Sequence, residues 1–526
     1  MKSCLVAAPG SRISRIAMEA LWHRTSQVAQ LSAAQYAAIA AGGVAIYSLV
    51  RCTYLLWFHP LAKYPGPKFA AVSNLWYGYA WLSGRYPWAM QRVLQEYGDV
   101  VRVAPNELVF ITPKAYTDIY NSNIGGRPAF TKTDMLELGD KYEGLASERN
   151  IDKHRAARKQ ISPAFSVRAI REYEPAIHAR VNELVHKLET FDKSREVIDI
   201  SPWFERVACD IGGSLAIGHD FQNVRNGKNH PILESVVGIG PWVTMKTVMK
   251  RFPLLYPLVY VMLPPKMVLS YLKAHKISLE LIRQRIKNRH ERKPLDYIHQ
   301  LVKDDAALPP EGLVVSQAGH FIYDHFESSS VLSAGMYFLA TNPGVMANLQ
   351  AEVRSTFASL SDMTDEVLHR LPWLNAVIEE ILRIHTNVPY GLPRVSPGYD
   401  IDGHYVPKGC IVSTCAYATT HSAQYFRDPY AFKPQRWLPP THPEYENAFD
   451  NDARAAFRPF SVGSRNCIGQ AVAYVVLRIA FAKLCWSYDW EMVNQDTVDW
   501  DRDLRVYMVW SKPPVNMRIT RYNAQG

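Results

Sequence analysis

Residues 457–481 read FRPFSVGSRNCIGQAVAYVVLRIAF, and they place one cysteine between two glycines and behind an arginine. From Ile468 to Ile479 the apolar residues recur at helical spacing, which predicts a buried helix that begins near Gly469. Cys467 then lies at the N-terminus of that helix. Unpaired backbone N–H groups and the helix dipole lower the pKa of a thiol there, so we expect a thiolate that is available as a metal ligand.

The residues around this cysteine add chemistry of their own. Gly463 suits a turn with positive φ or a close approach, Gly469 lets the backbone approach a large flat group, and Arg465 offers a permanent cation with forked donors for a carboxylate. A lone buried cysteine is usually only a small core residue. Together with Phe460, however, these residues form the pattern F-x-x-G-x-R-x-C-x-G, which resembles the haem-ligand loop of the cytochrome P450 family at every defining position.

The resemblance implies a haem enzyme. It makes Cys467 the axial thiolate ligand of the iron in haem (iron protoporphyrin IX), and it pairs Arg465 with a haem propionate. It also implies a mainly α fold with a small β part, wrapped around a buried haem. The resemblance runs from about Phe58 to the last strand near residues 503–515, and its motifs come in the family's order.

Composition is ordinary for a globular protein. The 526 residues are 48% hydrophobic and 21% charged, and no linker, low-complexity run or internal repeat divides them. The net charge is +10, but the basic residues are scattered rather than gathered in a stripe or recognition motif, so we expect no nucleic-acid partner. An anionic membrane surface or an acidic protein partner fits this charge better.

The cysteines exclude two common kinds of site. There are seven, an odd number, and they form no C-x-x-C pair. We therefore expect neither a disulfide framework nor a zinc site, and the pattern indicates reducing surroundings.

A transmembrane anchor is predicted over residues 31–50, LSAAQYAAIAAGGVAIYSLV, which contain no charged residue. About 20 such residues are enough to cross a bilayer as a helix. The alternative is a buried helix, because alanine and glycine make the segment only moderately hydrophobic. Residues 1–30 would form an N-terminal leader. Basic residues precede and follow the anchor, so the positive-inside rule gives no orientation.

A stiff connector follows the predicted anchor. Residues 65–67 are Pro-Gly-Pro, which enforces a non-helical chain path. They resemble the proline-rich hinge that separates anchor from catalytic domain in membrane-bound cytochromes P450. The resemblance implies a single-pass protein of the endoplasmic reticulum membrane, with the haem-thiolate domain of residues 58–526 in the cytosol.

Two segments predict the small β part. Residues 97–112, YGDVVRVAPNELVFIT, alternate apolar side chains around a Pro-Asn turn and predict a β-hairpin. Residues 388–413, VPYGLPRVSPGYDIDGHYVPKGCIVS, form a turn-rich β region. In the family resemblance, Arg394 of this region aligns with a further haem-propionate ligand.

Residues 152–166, DKHRAARKQISPAFS, predict a helix. His154 and Arg158 lie four residues apart on one face of it, and both can donate to a carboxylate. By spacing alone, a solvated basic face is favoured. The resemblance to fungal cytochromes P450 implies instead that His154 and Arg158 bind a haem propionate.

Residues 371–385, LPWLNAVIEEILRIH, predict an amphipathic helix. Glu380 and Arg383 are three residues apart in it, so their side chains face each other. An ordinary surface ion pair at this spacing contributes only about 0.2–0.5 kcal/mol. The resemblance implies a buried Glu-Arg-Arg cluster that Arg436 completes. A buried pair is costly unless it is networked, and the second arginine supplies the network. Its implied role is to fix the segment that leads to the cysteine loop.

The segment expected to activate oxygen departs from the family pattern. Family members carry a small residue and glycine, then an acid and an alcohol, on a long helix that crosses the haem. Here the corresponding residues 320–343 read HFIYDHFESSSVLSAGMYFLATNP. Either alignment leaves the glycine position to a tyrosine, an aspartate or a histidine. A polar helix surface without a catalytic role is the alternative interpretation.

Two alignments of this segment remain open. Counting back from Asn342 and Pro343 without gaps places Phe326 at the acid position and Glu327 at the alcohol position. A shift of one residue restores an acid–alcohol pair, Glu327 and Ser328. We predict that these two side chains are catalytic and deliver protons to oxygen.

Three functions follow as hypotheses. The first is a monooxygenase that inserts one atom of O2 into an apolar small molecule, an intermediate of fungal secondary metabolism, with electrons from NADPH through a membrane-bound NADPH–cytochrome P450 reductase. The second uses the same haem for isomerisation, dehydration or peroxide chemistry without a reductase. The third is a non-catalytic haem-binding or membrane-anchored interaction protein. The sequence does not identify the substrate.

Overall fold

The computed structural model describes residues 32–121, 126–137, 139, 141–291, 296–303 and 308–522. Helices predominate and the strands are short, so the predicted mainly α fold with a small β part is confirmed. The helices in the described residues are α1 Ala33–Thr53, α2 Lys68–Val72, α3 Leu75–Leu82, α4 Tyr86–Tyr97, α5 Pro113–Tyr120, α6 Ile151–Ile161, α7 Val167–Ser194, α8 Ser201–Ile217, α9 Asn223–Asn226, α10 Pro231–Val236, α11 Gly240–Met249, α12 Leu258–Val261, α13 Pro265–Lys287, α14 His299–Val302, α15 Glu311–Asp324, α16 Phe326–Thr341, α17 Pro343–Thr356, α18 Asp365–Leu368, α19 Pro372–Ile384, α20 Ala416–Thr420, α21 Gln470–Ser487 and α22 Trp500–Asp503.

The strands form several small sheets. The largest has the order β1-β2-β8-β5-β3, in which β2 and β8 are parallel and the other pairs are antiparallel. The strands are β1 Val100–Ala104, β2 Glu107–Phe110, β3 Thr131–Lys132, β4 Ile198–Asp199, β5 Arg394–Val395, β6 Tyr399–Ile401, β7 His404–Val406, β8 Ile411–Thr414, β9 Tyr488–Met492, β10 Arg505–Tyr507, β11 Val509–Ser511 and β12 Asn516–Arg521.

The two predicted β segments are confirmed. β1 and β2 form the hairpin, with Arg102 opposite Leu108, and the turn-rich region contributes β5 to β8. Since β2 pairs with β8, residues far apart in the chain join in one sheet.

The chain divides into two units, one up to Ala62 and one from Lys63 onward. In the first unit, α1 begins with a capping box between Ser32 and Gln35 and continues through a π-helical turn, Tyr54–Phe58. The helix is long and apolar enough to cross a membrane, and only 6% of its most apolar stretch is buried. Leu31 and the predicted leader of residues 1–30 lie outside the described residues.

In the second unit, α21 lies in the core and begins at Gln470, one residue after the predicted start. It is also apolar enough to cross a membrane, but 72% of it is buried in the protein, as expected of a core helix. Even its two basic residues are buried. The Arg478 Nε donates to Asp365 at 2.7 Å, and the Lys483 Nζ donates to the side-chain oxygen of Asn182 at 2.6 Å.

Two consecutive helices, α15 and α16, run next to this core and meet at His325. At the break, the Ser328 N–H donates to the His325 carbonyl at 3.0 Å, so the turn closes over three residues instead of four. Further along α16, a Cβ at Gly335 would lie 2.3 Å from the Phe481 ring of α21. The close packing of α16 on α21 positions the residues before the break beside the cysteine loop.

Candidate functional site

The cysteine loop is held by backbone geometry. The Cys467 N–H donates to the Phe460 carbonyl at 2.9 Å, which closes the loop on itself. Gly463 has φ +77°, and a Cβ there would lie 2.3 Å from the Tyr120 carbonyl oxygen, so both predicted reasons for a glycine apply. Gly469 ends the loop as the N-cap of α21. A Cβ at Gly469 would meet only Phe165, at 4.0 Å, so the described protein leaves open space beside this backbone.

The predicted low pKa of the Cys467 thiol is wrong for the protein without metal. Burial and the negative charge of Asp324 raise the pKa to about 11, although the backbone N–H groups of Gly469 and Gln470 lower it as expected. The side chain is nevertheless exposed. A thiol that is both exposed and desolvated opens into an interior space instead of bulk solvent.

Basic side chains converge on the other side of this loop. Tyr120, His154, Arg158, Arg394 and Arg465 line one cavity of about 310 Å³. The sequence predicted these four basic residues as propionate ligands, and the structure brings them together. Burial, followed by the charges of Lys132 and the three arginines, lowers the pKa of His154 to about 3, so its imidazole is neutral.

The three guanidinium groups donate to neutral oxygens. Arg158 donates to the carbonyl and the side-chain oxygen of Asn466 at 2.7 and 2.6 Å, and Arg465 donates to the Glu148 carbonyl at 2.7 Å. Arg394 donates to the Leu392 and Pro393 carbonyls. Among the described residues, none of the three forms an ion pair with a carboxylate. A cavity with three such cations fits an anionic ligand.

Lys132 joins this cluster, although the sequence motifs did not indicate it. Its Nζ donates to the Leu145 and Ala146 carbonyls at 3.1 and 2.6 Å. Burial, together with Arg465 and Arg394, lowers the pKa of Lys132 to about 7. A half-buried ammonium whose pKa is lowered by neighbouring cations is a second sign that positive charge is concentrated in this cluster. Only the pairing of β3 with β5 brings Lys132 here, so no local sequence signal could have identified it.

The Glu-Arg-Arg residues also meet, and they are fully buried. Arg383 binds Glu380 through two hydrogen bonds of 2.8 and 2.9 Å, and the Arg436 Nε approaches Glu380 at 3.0 Å. The Lys433 N–H and the Trp437 indole also donate to Glu380, each at 2.8 Å. The ordinary surface pair that spacing alone would suggest is therefore excluded. The network joins α19 to residues 433–437, which precede the cysteine loop.

Accessible residues follow one side of α15 into the first turn of α16. This cavity stripe consists of Ser316, His320, Tyr323, Asp324 and Glu327, of which Tyr323 and Asp324 are adjacent and the others follow at steps of three or four residues. Asp324 is exposed, and desolvation raises its pKa. Glu327 is half-buried, and desolvation raises its pKa to about 8. As with the thiol, exposure without solvation indicates an interior space.

Ser328 lies away from this stripe. Its exposure is 7%, and the next two serines are buried as well. Ser329 donates to the Phe326 carbonyl at 2.6 Å, and Ser330 contacts the Nε2 atom of His385 at 2.8 Å. Glu327 thus borders the interior space, whereas Ser328 packs into the core. This agrees with the alignment without gaps, which places Glu327 instead of Ser328 at the alcohol position.

Comparison with known proteins identifies the scaffold that carries these features. A family model described as Cytochrome P450 matches residues 65–518. The chain belongs to the cytochrome P450 family. The predicted membership is therefore confirmed over most of the chain.

Several fungal cytochromes P450 are similar over nearly their whole length. The cytochrome P450 monooxygenase poxC of Penicillium oxalicum is 36% identical over 475 residues, which cover 90% of this chain and 92% of that protein. TwmD of Talaromyces wortmannii is 35% identical over 479 residues, with 90% and 94% covered. BOA3 of Botryotinia fuckeliana is 33% identical over 473 residues, with 89% and 92% covered. The chain is thus an enzyme of the cytochrome P450 monooxygenase class.

Haem is the general cofactor of cytochromes P450, and the residues described above fit it. The Cys467 thiol opens into the interior space and offers one soft ligand for iron. The cations of Arg158, Arg394 and Arg465, which form no ion pair within the described residues, supply more than enough positive charge for two propionates. The open space beside Gly469 admits a flat group. These residues would hold the cofactor.

Proposed function

We propose that this cytochrome P450 is a haem-thiolate monooxygenase that inserts one atom of O2 into an apolar small molecule. Electrons come from NADPH through NADPH–cytochrome P450 reductase. The observation that carries the proposal is the convergence of an exposed but desolvated Cys467 thiol with three arginines that, within the described residues, form no ion pair with a carboxylate. The fungal relatives favour an intermediate of fungal secondary metabolism as the substrate.

The residues of the cysteine loop and of the cation cluster beside it each have a proposed task. Cys467 binds the iron as a thiolate, and its electron donation favours O–O cleavage when haem is bound. Arg158, Arg394 and Arg465 hold the propionates, and neutral His154 donates one hydrogen bond to them. The hydrogen bonds from Arg158 to Asn466 also fix the residue before the cysteine, so propionate binding and thiolate position are coupled.

The protein supplies protons from the opposite side of the space. Glu327 borders the space and carries a proton at neutral pH, because burial and Asp324 raise its pKa to about 8. A protonated carboxyl group is a competent general acid. Ser328 stays a candidate for the alcohol of this step, but it is buried on the core side of the helix. Phe326 at the acid position of this alignment has no proton to give.

The anchor places the enzyme at a membrane. We propose that the helix from Ala33 to Phe58 spans the endoplasmic reticulum membrane once and leaves the haem domain in the cytosol. Reductase and apolar substrate are then available at the same membrane surface. The positive net charge of the chain favours this anionic surface.

The ligand assignment is tested with Cys467→Ser. We expect the variant to lose the absorption band that marks a reduced haem-thiolate carbon monoxide complex, because a hydroxyl does not supply thiolate donation. Cys485→Ser, a change at a buried cysteine within α21, is the control and should keep the band. An unchanged band in Cys467→Ser would falsify Cys467 as the ligand.

The reaction class needs a second experiment. Incubation of the wild-type protein with reductase, NADPH and candidate fungal metabolites, followed by mass spectrometry, should show a product that has gained one oxygen atom from 18O2. NADPH consumption that rises when substrate is added is the second expected result. Product without the label would contradict oxygen insertion.

One observation favours a second candidate function. The stripe over the cysteine carries Asp324 where a glycine is expected, and it lacks an accessible alcohol next to an acid. Isomerisation, dehydration or peroxide chemistry on the same haem needs no reductase and no such pair. Redox-neutral product, or turnover with peroxide alone, would establish this function. Haem binding without any turnover would establish the non-catalytic alternative.

A further inference from the structure

Two carboxyl groups on the cavity stripe lack partners. Asp324 is exposed and Glu327 is half-buried, and within the described residues neither carboxyl group forms a hydrogen bond or an ion pair. Carboxyl groups in an interior space are normally paired, because desolvation of the charged form is costly. Two unpaired ones on the same stripe therefore need an explanation.

The helix break brings these groups together. Asp324 is the last residue of α15 and Glu327 lies in the first turn of α16, three residues later and on the same side. The three-residue hydrogen bond from Ser328 to His325 tightens the chain between them. Their mutual influence is also electrostatic, since the charge of Asp324 adds to burial in raising the pKa of Glu327.

We propose that Asp324 and Glu327 form an electrostatically coupled carboxyl pair in which one group keeps its proton and passes it to oxygen during turnover, in place of the acid–alcohol pair of the family. The inference rests on the proposed monooxygenase function and names its proton donors. Two like charges in a desolvated site cannot both be ionised cheaply, so one protonated and one ionised carboxyl group is the stable state of such a pair.

The pair satisfies the proton requirement of the reaction. Insertion of oxygen into a substrate RH follows RH + O2 + NADPH + H⁺ → ROH + H2O + NADP⁺, and the water takes its two protons at the outer oxygen atom. Glu327 donates first: its O–H bond breaks as a new O–H bond to that oxygen forms. Both carboxylates are then negative, and their repulsion favours uptake of a second proton from solvent through Asp324.

Other charged groups face the pair from several elements. Lys512, which follows β11, lowers the pKa of Glu327, and Lys132 of β3 and His320 of α15 lower the pKa of Asp324, although burial raises both values more. Tyr390 lies close enough to Glu327 for the two groups to interact. The cations neighbour the pair without binding either carboxyl group, so the pair can hold a negative charge and still keep a proton.

Infrared titration tests the pair without a substrate. We expect wild-type holoenzyme to show a protonated carboxyl C=O band at pH 7 that disappears as the pH rises through about 8. Glu327→Gln should remove this band. Asp324→Asn should move its midpoint to lower pH, because the neighbouring negative charge is gone. Glu311→Gln, at the far end of α15, is the matched control and should leave the band unchanged. A band that persists in Glu327→Gln overturns the proposal.

Oxygen chemistry supplies the second readout. With reductase and NADPH but no substrate, wild-type protein should use part of the electrons from NADPH to reduce O2 to water. Glu327→Gln should instead form nearly one hydrogen peroxide per NADPH consumed, because loss of a general acid slows O–O cleavage by about 10²-fold or more. Glu327→Thr restores an alcohol at this position and should return the ratio toward the wild-type value. Equal peroxide yields in Glu327→Gln and wild type overturn the relay.

The two readouts separate failure of the pair from failure of the proposed function. If wild-type protein consumes no NADPH while the band behaves as described, the monooxygenase function fails and the relay fails with it, but the coupled titration of the pair is established. If wild type consumes NADPH and the band is absent, only the pair is overturned. Loss of haem in both Glu327→Gln and Glu327→Thr would show a structural residue and also reject the proposal.

Discussion

The Cys467 thiol experiences two opposing effects that differ in size. The helix terminus is worth about 0.3–1 kcal/mol, less than one pKa unit at about 1.4 kcal/mol each, whereas desolvation of a charged group can shift a pKa by several units. Burial therefore wins, and the pKa rises to about 11. Thiolate formation in this loop thus requires the charge of a bound metal. The N–H groups of Gly469 and Gln470 favour the anion once the metal is present.

Gly463 gives a prediction at the same scale. Gly463→Ala should lower both haem content and the free energy of unfolding, because a Cβ at φ +77° would lie 2.3 Å from the Tyr120 carbonyl. Gly403→Ala is the matched control: Gly403 has the same φ of +77°, but nothing lies within 4 Å of its Cβ position. We expect about 1–2 kcal/mol from left-handed strain in both variants and a further 1–3 kcal/mol from the clash in Gly463→Ala alone. Denaturant unfolding measures the difference, and equal losses would contradict the close approach.

At the scale of elements, the break between α15 and α16 decides which side chains border the interior space. A helix that continued without interruption would be described well by its hydrophobic periodicity. Here the break at His325 ends one helix with Asp324 and starts the next with Glu327. Hydrophobic periodicity cannot locate such a break, because the break depends on a backbone hydrogen bond from Ser328 to His325 and on packing against α8. The packing is close: a Cβ at Gly212 of α8 would lie 2.9 Å from the Ile322 carbonyl oxygen. This is why the sequence left two alignments open.

The buried network of α19 gives a second prediction. Glu380→Gln should reduce the free energy of unfolding by about 3–5 kcal/mol, because it leaves the buried guanidinium group of Arg383 without its anion and leaves Arg436 with Asp452 alone. Glu366→Gln is the matched control. Its pair with Arg370 has side chains that are 73% and 71% exposed, and such pairs contribute little. Denaturant unfolding of both variants measures the contrast, and similar small losses would show that the network does not stabilise the fold.

The same network predicts a pH dependence. Burial raises the pKa of Glu380, but Arg383 and Arg436 lower it more, so the folded value lies below the ordinary one. A carboxyl group with a depressed folded pKa stabilises the protein at neutral pH, and this stabilisation is lost as the pH falls through the folded value. The difference between wild type and Glu380→Gln should therefore shrink in acid. The loss should occur below the ordinary pKa of 4.5, so a difference that stays constant from about pH 5 to about pH 2 would contradict the depressed pKa.

At the scale of the whole molecule, local patterns predicted more than long-range ones. The hairpin at Arg102 and the helix that carries Glu380 follow from periods of two and 3.6 residues in short windows. The family resemblance placed His154 and Arg394 at the same ligand, which spacing alone could not do. Neither local periodicity nor the family resemblance identified Lys132, because its position depends on the pairing of β3 with β5, which lie more than 250 residues apart in the chain. The burial of Lys483 on α21 also depends on tertiary packing.

The anchor gives a prediction for the whole chain. A chain that begins at Tyr64 should lose membrane association that resists alkaline carbonate and should still bind haem, because the second unit has its own core and contains every proposed haem ligand.

Val44→Arg in the full chain is the matched test of mechanism. Val44 is 66% exposed near the middle of the apolar helix, where an arginine costs about 2.5–3.5 kcal/mol of insertion free energy. It should weaken membrane association without changing the haem spectrum, and carbonate extraction of cell membranes measures both variants. If carbonate extracts the unmodified full-length protein, the helix does not span the membrane. If the Tyr64 chain resists extraction, another part of the protein holds it there.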